Sequence, residues 1–467
     1  MSKGPLSHPR INHKFWDNGS WLWFVMVFVI VLASCSTEEG ETETEGGAST
    51  TVIAGGGDSD SDSDSNPESD SESEADSNDE AEADTDGVDQ GADDEEADEA
   101  ADHAPEAKFV LEGELDLETA EVNDMIDFVE QVAGREFVRP PTIVAQTTAD
   151  FEAGLAVKFG DALEDLDEDV EVQARLYQAL GHSDQTPDEL KTHTEAFLTD
   201  ASAIAGYYEP EDDRVYMPVD AELDGMFRAI LVHELTHALD GQYVDLGALI
   251  EDMEDNDLEV ELNFVRAAIV EGRATQVQAA WMQTNGVAPA VPELSKAITD
   301  LPPIAVNGIQ LPYQTGAAYI QAKGGAAGTW ELYDEPPASS EHILFPNTPP
   351  SEPKVAVAPP TADGPELYRA EFGAADLALW LLGDSLQPDP ATVSTVLSAS
   401  DGWAGGEMVL WGDENDSCVR IALAADSAED RAEIEVAARA WAEEGTGRSV
   451  SDDGETVLIE GCARFNS

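Results

Sequence analysis

The chain has 467 residues and carries 99 Asp and Glu against 22 Lys and Arg, which gives a formal net charge of -77 at pH 7. This excess of acids argues against nucleic acid as a partner and against a basic patch on an anionic lipid surface, because both need clustered cations. Hydrophobic residues make up 42% of the chain, with nine Trp and fourteen Phe, so a sizeable folded core is expected.

Residues 1–34 are predicted to be a lipoprotein signal peptide. Basic residues precede an uninterrupted apolar run from Trp21 to Leu32, which is short for a helix that spans a membrane. The run ends in Leu-Ala-Ser-Cys, which resembles a bacterial lipobox and implies a lipidated Cys35 as the mature N-terminus. The alternative is an uncleaved N-terminal anchor with an incidental Cys. In both cases we expect an exported chain, and the lipobox implies anchoring to the outer face of the cell membrane or cell envelope.

Residues 35–107 are predicted to be an acidic disordered tether. The stretch consists of Glu-Thr, Asp-Ser and Asp/Glu/Ala repeats, and residues 36–107 contain no aromatic side chain. Too little apolar surface is present to offset the entropy lost on ordering the chain, and the like charges extend it.

A folded protein of α+β class is predicted from about residue 108, with a first domain over 108–365 and a C-terminal α/β region over 366–467. The elements predicted in the first domain are helical segments over 118–133 and 160–199, a strand over 142–145, a β-hairpin of 203–208 and 214–217, and helices over 223–239 and 258–284. Gly241 and Gly286 are predicted to end the last two helices. Pro-rich sequence predicts loops over 287–312 and 335–365.

The strongest chemical signal lies inside the predicted helix over 223–239. His233 and His237 are four residues apart, so both imidazoles lie on one helix face and can share one zinc ion. Glu234 follows the first histidine and is predicted to be the base that takes a proton from an activated water. The alternative is a pair of core histidines, but Glu234 would then be buried between them at a cost.

A zinc hydrolase needs a third protein ligand and an open fourth position. Glu271 is the best candidate, because it lies in the middle of the helix over 258–284 among small residues that allow two helices to approach closely. The alternative role for Glu271 is an ion pair with Arg266 or Arg273.

These residues resemble the gluzincin group of zinc metallopeptidases, in which a His-Glu-x-x-His helix is followed by a glutamate ligand. The resemblance implies a zincin-like core, and an edge β-hairpin beside the metal helix that pairs with an extended substrate. The gap of 34 residues between His237 and Glu271 is longer than in thermolysin-like members.

A closer resemblance is to a poorly characterised group of exported bacterial and archaeal zincin-like proteins. The matching segments, in addition to the metal helix, are Gly206-Tyr207-Tyr208-Glu209-Pro210, Glu271-Gly272-Arg273-Ala274-Thr275, Pro312-Tyr313-Gln314-Thr315-Gly316 and Pro336-Pro337-Ala338-Ser339-Ser340-Glu341-His342. The resemblance covers the chain from about residue 110 to the end. Phe345 stands where that group often has His, so no chemistry is assigned there.

Peptide hydrolysis also needs a donor for the developing oxyanion. Tyr313 is the first candidate, His342 the second, and Tyr208 and Tyr243 remain alternatives. Asp240 and Asp245 are candidates for orienting a ligand histidine. An ordinary packed aromatic is an equally good interpretation of Tyr313.

Cys418 and Cys462 are predicted to form a disulfide, because both lie in strand-like sequence of an exported chain and Cys35 is assigned to lipid. The sequence therefore favours a lipid-anchored extracytoplasmic zinc metallopeptidase with Zn²⁺ as cofactor and a peptide or protein as substrate. The alternatives are a catalytically silent zincin-fold surface protein and an acidic surface protein without metal. The oligomeric state stays open.

Overall fold

The computed structural model describes residues 106–220, 223–255, 259–288, 295–386, 388–413 and 415–464. The predicted signal peptide, the lipidated Cys35 and almost all of the predicted tether lie outside these residues. Among the described residues, no helix combines the length and the apolar character needed to cross a membrane.

Helices and short strands alternate in the first part of the described chain. The elements are β1 Val110–Glu112, α1 Thr119–Ala133, β2 Thr142–Gln146, α2 Thr148–Lys158, α3 Gly160–Leu180, α4 Pro187–Leu198, β3 Tyr207–Glu209, β4 Arg214–Pro218, α5 Gly225–Gly241, α6 Leu246–Asp255, α7 Val260–Asn285, α8 Lys296–Thr299, α9 Pro303–Ala322 and α10 Ser340–Leu344.

The second part contains most of the strands. The elements are β5 Glu366–Glu371, α11 Ala374–Leu382, α12 Pro390–Ser400, β6 Trp403–Asp413, β7 Asp416–Ala425, α13 Ala428–Glu443, β8 Arg448–Asp452 and β9 Val457–Arg464. Helices and two small sheets confirm the α+β class.

The predicted hairpin before the metal helix is confirmed and lies at the edge of a sheet. The sheet has the order β1-β2-β4-β3, with β3 antiparallel to β4 and the other two pairs parallel. The apolar residues of this sheet pack with those of α1 and α5 in one core, which includes Ile143, Val215, Leu231 and Leu235. The sheet therefore supports the helix that carries the histidines.

The two long predicted helices α5 and α7 are present, and their ends have clear causes. Asp224 accepts hydrogen bonds from the backbone N–H groups of Met226 and Phe227 at the start of α5. Gly286 has a φ of 64° and ends α7 in the left-handed conformation that glycine adopts without strain. Gly241 is the last residue of α5 and not a left-handed cap, and a side chain there would collide with Tyr208.

The helical pattern over 160–199 is confirmed as two helices, α3 and α4, whereas α6 was not predicted. The loop prediction over 287–312 was wrong in part. The predicted loop over 287–312 contains the first half of α9, in which Pro303 occupies the first turn. Proline is tolerated there because the first helical N–H groups have no partner within the helix. Pro312 lies inside the same helix, so the Pro-Tyr step is helical as well.

The C-terminal sheet is antiparallel, with the order β5-β6-β7-β9-β8. Cys418 and Cys462 face each other across β7 and β9 with Cα atoms 4.1 Å apart and form the predicted disulfide. Trp380, Trp403 and Trp441 are buried in this region's core, and the core also takes up Leu180 from α3. The boundary predicted between residues 365 and 366 is therefore crossed by a shared core.

Candidate metal centre

Two neighbouring helices bring His233, His237 and Glu271 to one buried point. The distances are 3.0 Å between the two Nε2 atoms, 3.2 Å from His233 Nε2 to Glu271 Oε2, and 3.4 Å from His237 Nε2 to the same oxygen. The three side chains are at most 2% exposed. The structure thus places the three sequence-predicted ligands together, as a group that could hold a metal ion.

The donor atoms of this triangle fit a shared cation better than they fit one another. A neutral imidazole nitrogen carries either one proton or one lone pair. Three mutual contacts cannot all be hydrogen bonds when His233 Nε2 takes part in two of them. Donor atoms held by one tetrahedral zinc ion at about 2.0–2.1 Å lie about 3.3 Å from one another, which is close to the three observed separations.

Burial keeps both histidines ready to act as ligands. It lowers the pKa of His233, although hydrogen bonding to Glu271 and Gln278 raises it in part. Burial also lowers the pKa of His237 to about 4, against the attraction of Asp240. Both imidazoles are therefore neutral at neutral pH, which is the state that binds metal ions.

Glu234 lies beside the triangle without belonging to it. Burial and the neighbouring Glu271 raise the pKa of its carboxyl group well above the usual value, while a hydrogen bond from the Tyr208 backbone lowers it. Its Oε2 atom is buried and has no hydrogen-bond partner among the described residues. The carboxylate can therefore accept a proton from a group that enters the site.

The same contact orients the sheet towards the site. Tyr208 belongs to β3, the edge strand, and its backbone N–H is directed at Glu234. Gly206, just before β3, comes close enough to the Glu234 side chain that a Cβ atom there would lie 3.4 Å from its Cγ. Among the described strands, β3 forms the edge of this sheet, and it therefore runs past the carboxylate.

Close helix packing places Glu271. A Cβ atom on Gly272 would collide with the backbone of Gly316 in α9, and one on Gly316 would collide with Ala268. The small residues therefore have the predicted purpose of bringing α7 and α9 together. The alternative role of Glu271 as an arginine partner finds no support, since Arg273 pairs with Asp240 and Arg266 with Asp252.

Tyr313 comes to the site from α9, three residues before Gly316. Its ring stacks on His233 with the centroids 6.0 Å apart, and its side chain hydrogen bonds to Glu271. It therefore holds the carboxylate, and its role as oxyanion donor stays a prediction. The hydroxyl groups of the two alternatives, Tyr208 and Tyr243, are bound to Asp213 and to the Glu136 carbonyl.

Gln278 is a site residue that the sequence analysis missed. It is 3% exposed and hydrogen bonds to His233. It lies seven residues after Glu271, two helical turns further along the same face of α7. That spacing is the signal that could have identified it.

The main contact of Asp240 is an ion pair with Arg273, and not a hydrogen bond to a ligand histidine. Arg273 donates to both its oxygens at 2.9 and 3.0 Å, and Tyr333 donates to Oδ2 at 2.6 Å. The Arg273 side chain lies over Trp330 and is fully buried. Asp245 accepts the Ala248 N–H at the start of α6.

His342 lies in α10 and contacts the loop that follows this helix. Its two ring nitrogens face Ser339 Oγ at 2.8 Å and the Pro349 carbonyl at 3.2 Å. The adjacent Ser340 binds Glu261, which is ten residues and so about 15 Å before Glu271 along α7. The structure therefore engages His342 away from the metal ligands, and a role for it in hydrolysis stays a prediction.

No family model, curated protein or solved structure matches this chain.

Proposed function

We propose that the protein is a zinc metallopeptidase of zincin type, with zinc held by His233, His237 and Glu271. The observation that carries the proposal is the buried triangle of two imidazole nitrogens and one carboxylate oxygen, with separations of 3.0, 3.2 and 3.4 Å. This donor set is that of zinc sites that leave the fourth position to water and substrate.

Zinc held by these three residues would supply Lewis acidity, which would polarise a scissile carbonyl group and lower the pKa of a water beside it. Glu234 takes the proton of the attacking water and delivers it to the leaving amine. The raised pKa of its carboxyl group makes Glu234 a stronger base, so it can hold the proton of the water until the leaving amine takes it. Tyr313 keeps Glu271 in place through its hydrogen bond.

The substrate that fits this arrangement is an extended peptide. The free edge of β3 offers backbone groups for strand addition, and Tyr208 on that strand lies against Glu234. A peptide paired with β3 would pass its backbone beside the proposed base. Export and lipid anchoring through Cys35, as the lipobox implies, would place this activity outside the cytoplasmic membrane.

The decisive experiment separates zinc binding from catalysis. Glu234→Gln should keep near-stoichiometric zinc and lose at least about 100-fold in peptide cleavage, since only the base is removed. His237→Ala should lose the zinc itself, because two protein ligands remain. Zinc content is measured by elemental analysis, and cleavage by mass spectrometry of a digested peptide library.

Glu261→Gln is the matched control, because it also neutralises a buried glutamate of the same helical region but lies away from the triangle. It should leave both zinc content and cleavage unchanged. A Glu234→Gln protein with full cleavage would disprove the mechanism. Stoichiometric zinc without cleavage of any peptide would favour the silent zincin-fold surface protein. Absence of zinc would contradict both the metallopeptidase and the silent zincin-fold protein.

A further inference from the structure

We propose that Glu341, Glu352 and Asp426 form a second metal site, specific for a hard divalent cation of the Ca²⁺ type. One carboxylate oxygen from each residue lies within 4.8 Å of those of the other two. Glu341 belongs to the segment Pro336–His342, for which the proposed zinc chemistry has no use. This site is independent of the zinc site and of its activity.

The observation that separates this group from ordinary surface acids is the burial of Glu341. The side chain is only 3% exposed, and its Oε1 atom has no hydrogen-bond partner among the described residues. An unpaired buried carboxylate is costly. Its neighbours add to that cost, because burial, Asp426 and Glu352 together raise the pKa of Glu341 to about 9.

The three carboxylates differ in burial, which gives the group the form of a site open on one side. Glu341 is buried, Glu352 is half-buried and Asp426 is exposed. Two oxygens at about 2.4 Å from one Ca²⁺ ion are at most about 4.8 Å apart, and the three carboxylate oxygens satisfy this limit pairwise. The all-oxygen donor set favours Ca²⁺ over zinc, and water completes its six to eight ligands on the open side.

The chain around the group is built to hold it. His342 contacts the Pro349 carbonyl with one ring nitrogen, and the same carbonyl accepts the Glu352 backbone N–H at 2.9 Å. His342 is therefore a positioning residue for the loop that carries Glu352. Burial raises the pKa of Asp426 to about 6, and the neighbouring acids Glu352, Asp430 and Asp401 add to the rise.

An ion at this point would join two parts of the protein. Glu341 and Glu352 come from α10 and the loop after it, and Asp426 follows β7 in the C-terminal sheet. A bound cation replaces repulsion between these parts with attraction. We therefore expect Ca²⁺ to stabilise the protein beyond the general screening of its negative surface by salt.

Terbium luminescence is the sharpest probe, because Tb³⁺ occupies Ca²⁺ sites and an indole sensitises it only at short range. Trp403 pairs with Ala425, the residue before Asp426, and is the indole expected to sensitise an ion bound there. The full chain, dialysed free of Ca²⁺ at fixed ionic strength, should show sensitised Tb³⁺ emission that Ca²⁺ displaces with a Kd of about 10⁻⁴–10⁻³ M.

Glu341→Gln should weaken that binding at least tenfold, and it should raise the melting temperature in the absence of Ca²⁺ while abolishing the rise that Ca²⁺ causes. Asp426→Asn, at an exposed position, should also weaken binding. Glu114→Gln removes one exposed charge elsewhere and should bind Tb³⁺ like the wild type. Any binding of Tb³⁺ by the Asp-Ser repeats should be the same in all variants. Zinc content should be the same in all variants.

Equal emission from wild type and Glu341→Gln, or no effect of Ca²⁺ beyond that of NaCl at equal ionic strength, would overturn the proposal.

Discussion

The helical region around α5, α7 and α9 and the C-terminal sheet are both largely buried, but they are held together differently. The helical region places a triangle of polar donors, a further carboxylate and the Asp240–Arg273 ion pair in its interior. The sheet region buries tryptophans and aliphatic side chains and joins β7 to β9 by the Cys418–Cys462 bond.

The difference shows what each region is built for. Burying charges is unfavourable unless each one has a partner, so the helical region depends on exact pairing and on a ligand for its donor triangle. The sheet region relies mainly on apolar contact and one covalent link. We therefore expect that replacing a single polar residue will lower the free energy of unfolding strongly in the helical region and only slightly in the sheet region.

The strongest test breaks the buried ion pair of the helical region. Asp240→Ala leaves Arg273 buried without its carboxylate and should lower the free energy of unfolding by about 3–5 kcal/mol. Glu435→Ala, which breaks the Arg439–Glu435 pair on the sheet side, should cost less than about 1 kcal/mol because Arg439 is largely exposed. Denaturant unfolding measures both. Similar costs for the two variants would contradict the contrast between the regions.

A second test removes the covalent link of the sheet region. The bridge closes a sequence separation of 44 residues, and the loop-entropy model gives it about 4 kcal/mol of stabilisation. A Cys418→Ser/Cys462→Ser protein should lose up to that amount in denaturant unfolding while its zinc content stays the same. Thiol titration of the denatured, unreduced protein provides the check on the bond. Two free thiols from these positions would disprove it.

The third and smallest expected effect lies where the regions meet. Glu261 at the start of α7 accepts hydrogen bonds from Ser340 N and Oγ at 2.8 and 2.5 Å, and burial raises its pKa to about 7. An acid whose pKa is raised by folding binds its proton more tightly in the folded state. Its contribution to stability is therefore complete below about pH 4.5 and is lost as pH rises through about 7.

In the wild type, this group should lower the free energy of unfolding by up to about 3 kcal/mol between about pH 4.5 and 7. Glu261→Gln should not show this decline. The measurement is urea unfolding across that pH range, with Glu114→Gln as the exposed control that keeps the wild-type slope. Parallel curves for wild type and Glu261→Gln would show that the carboxyl group titrates normally.

The sequence predicted the residues of the helical site better than it predicted the elements around them. The spacing of His233 and His237 defines a common helix face whatever the tertiary fold, because helix geometry is local. Glu271 was identified from an acid among small residues in an apolar helix. The disulfide was predicted from the number of cysteines and from two strand-like segments, and the register of β7 and β9 confirms it.

Other features depended on the tertiary structure. Proline usually ends helices, so the start of α9 was predicted as a loop; the structure places Pro303 in the first turn and packs Gly316 onto α7. The partners of Asp240, which are Arg273 and Tyr333, are distant in sequence and could not be read from spacing. Local periodicity thus determined which residues share a face, whereas long-range packing decided which faces meet and which buried charges find partners.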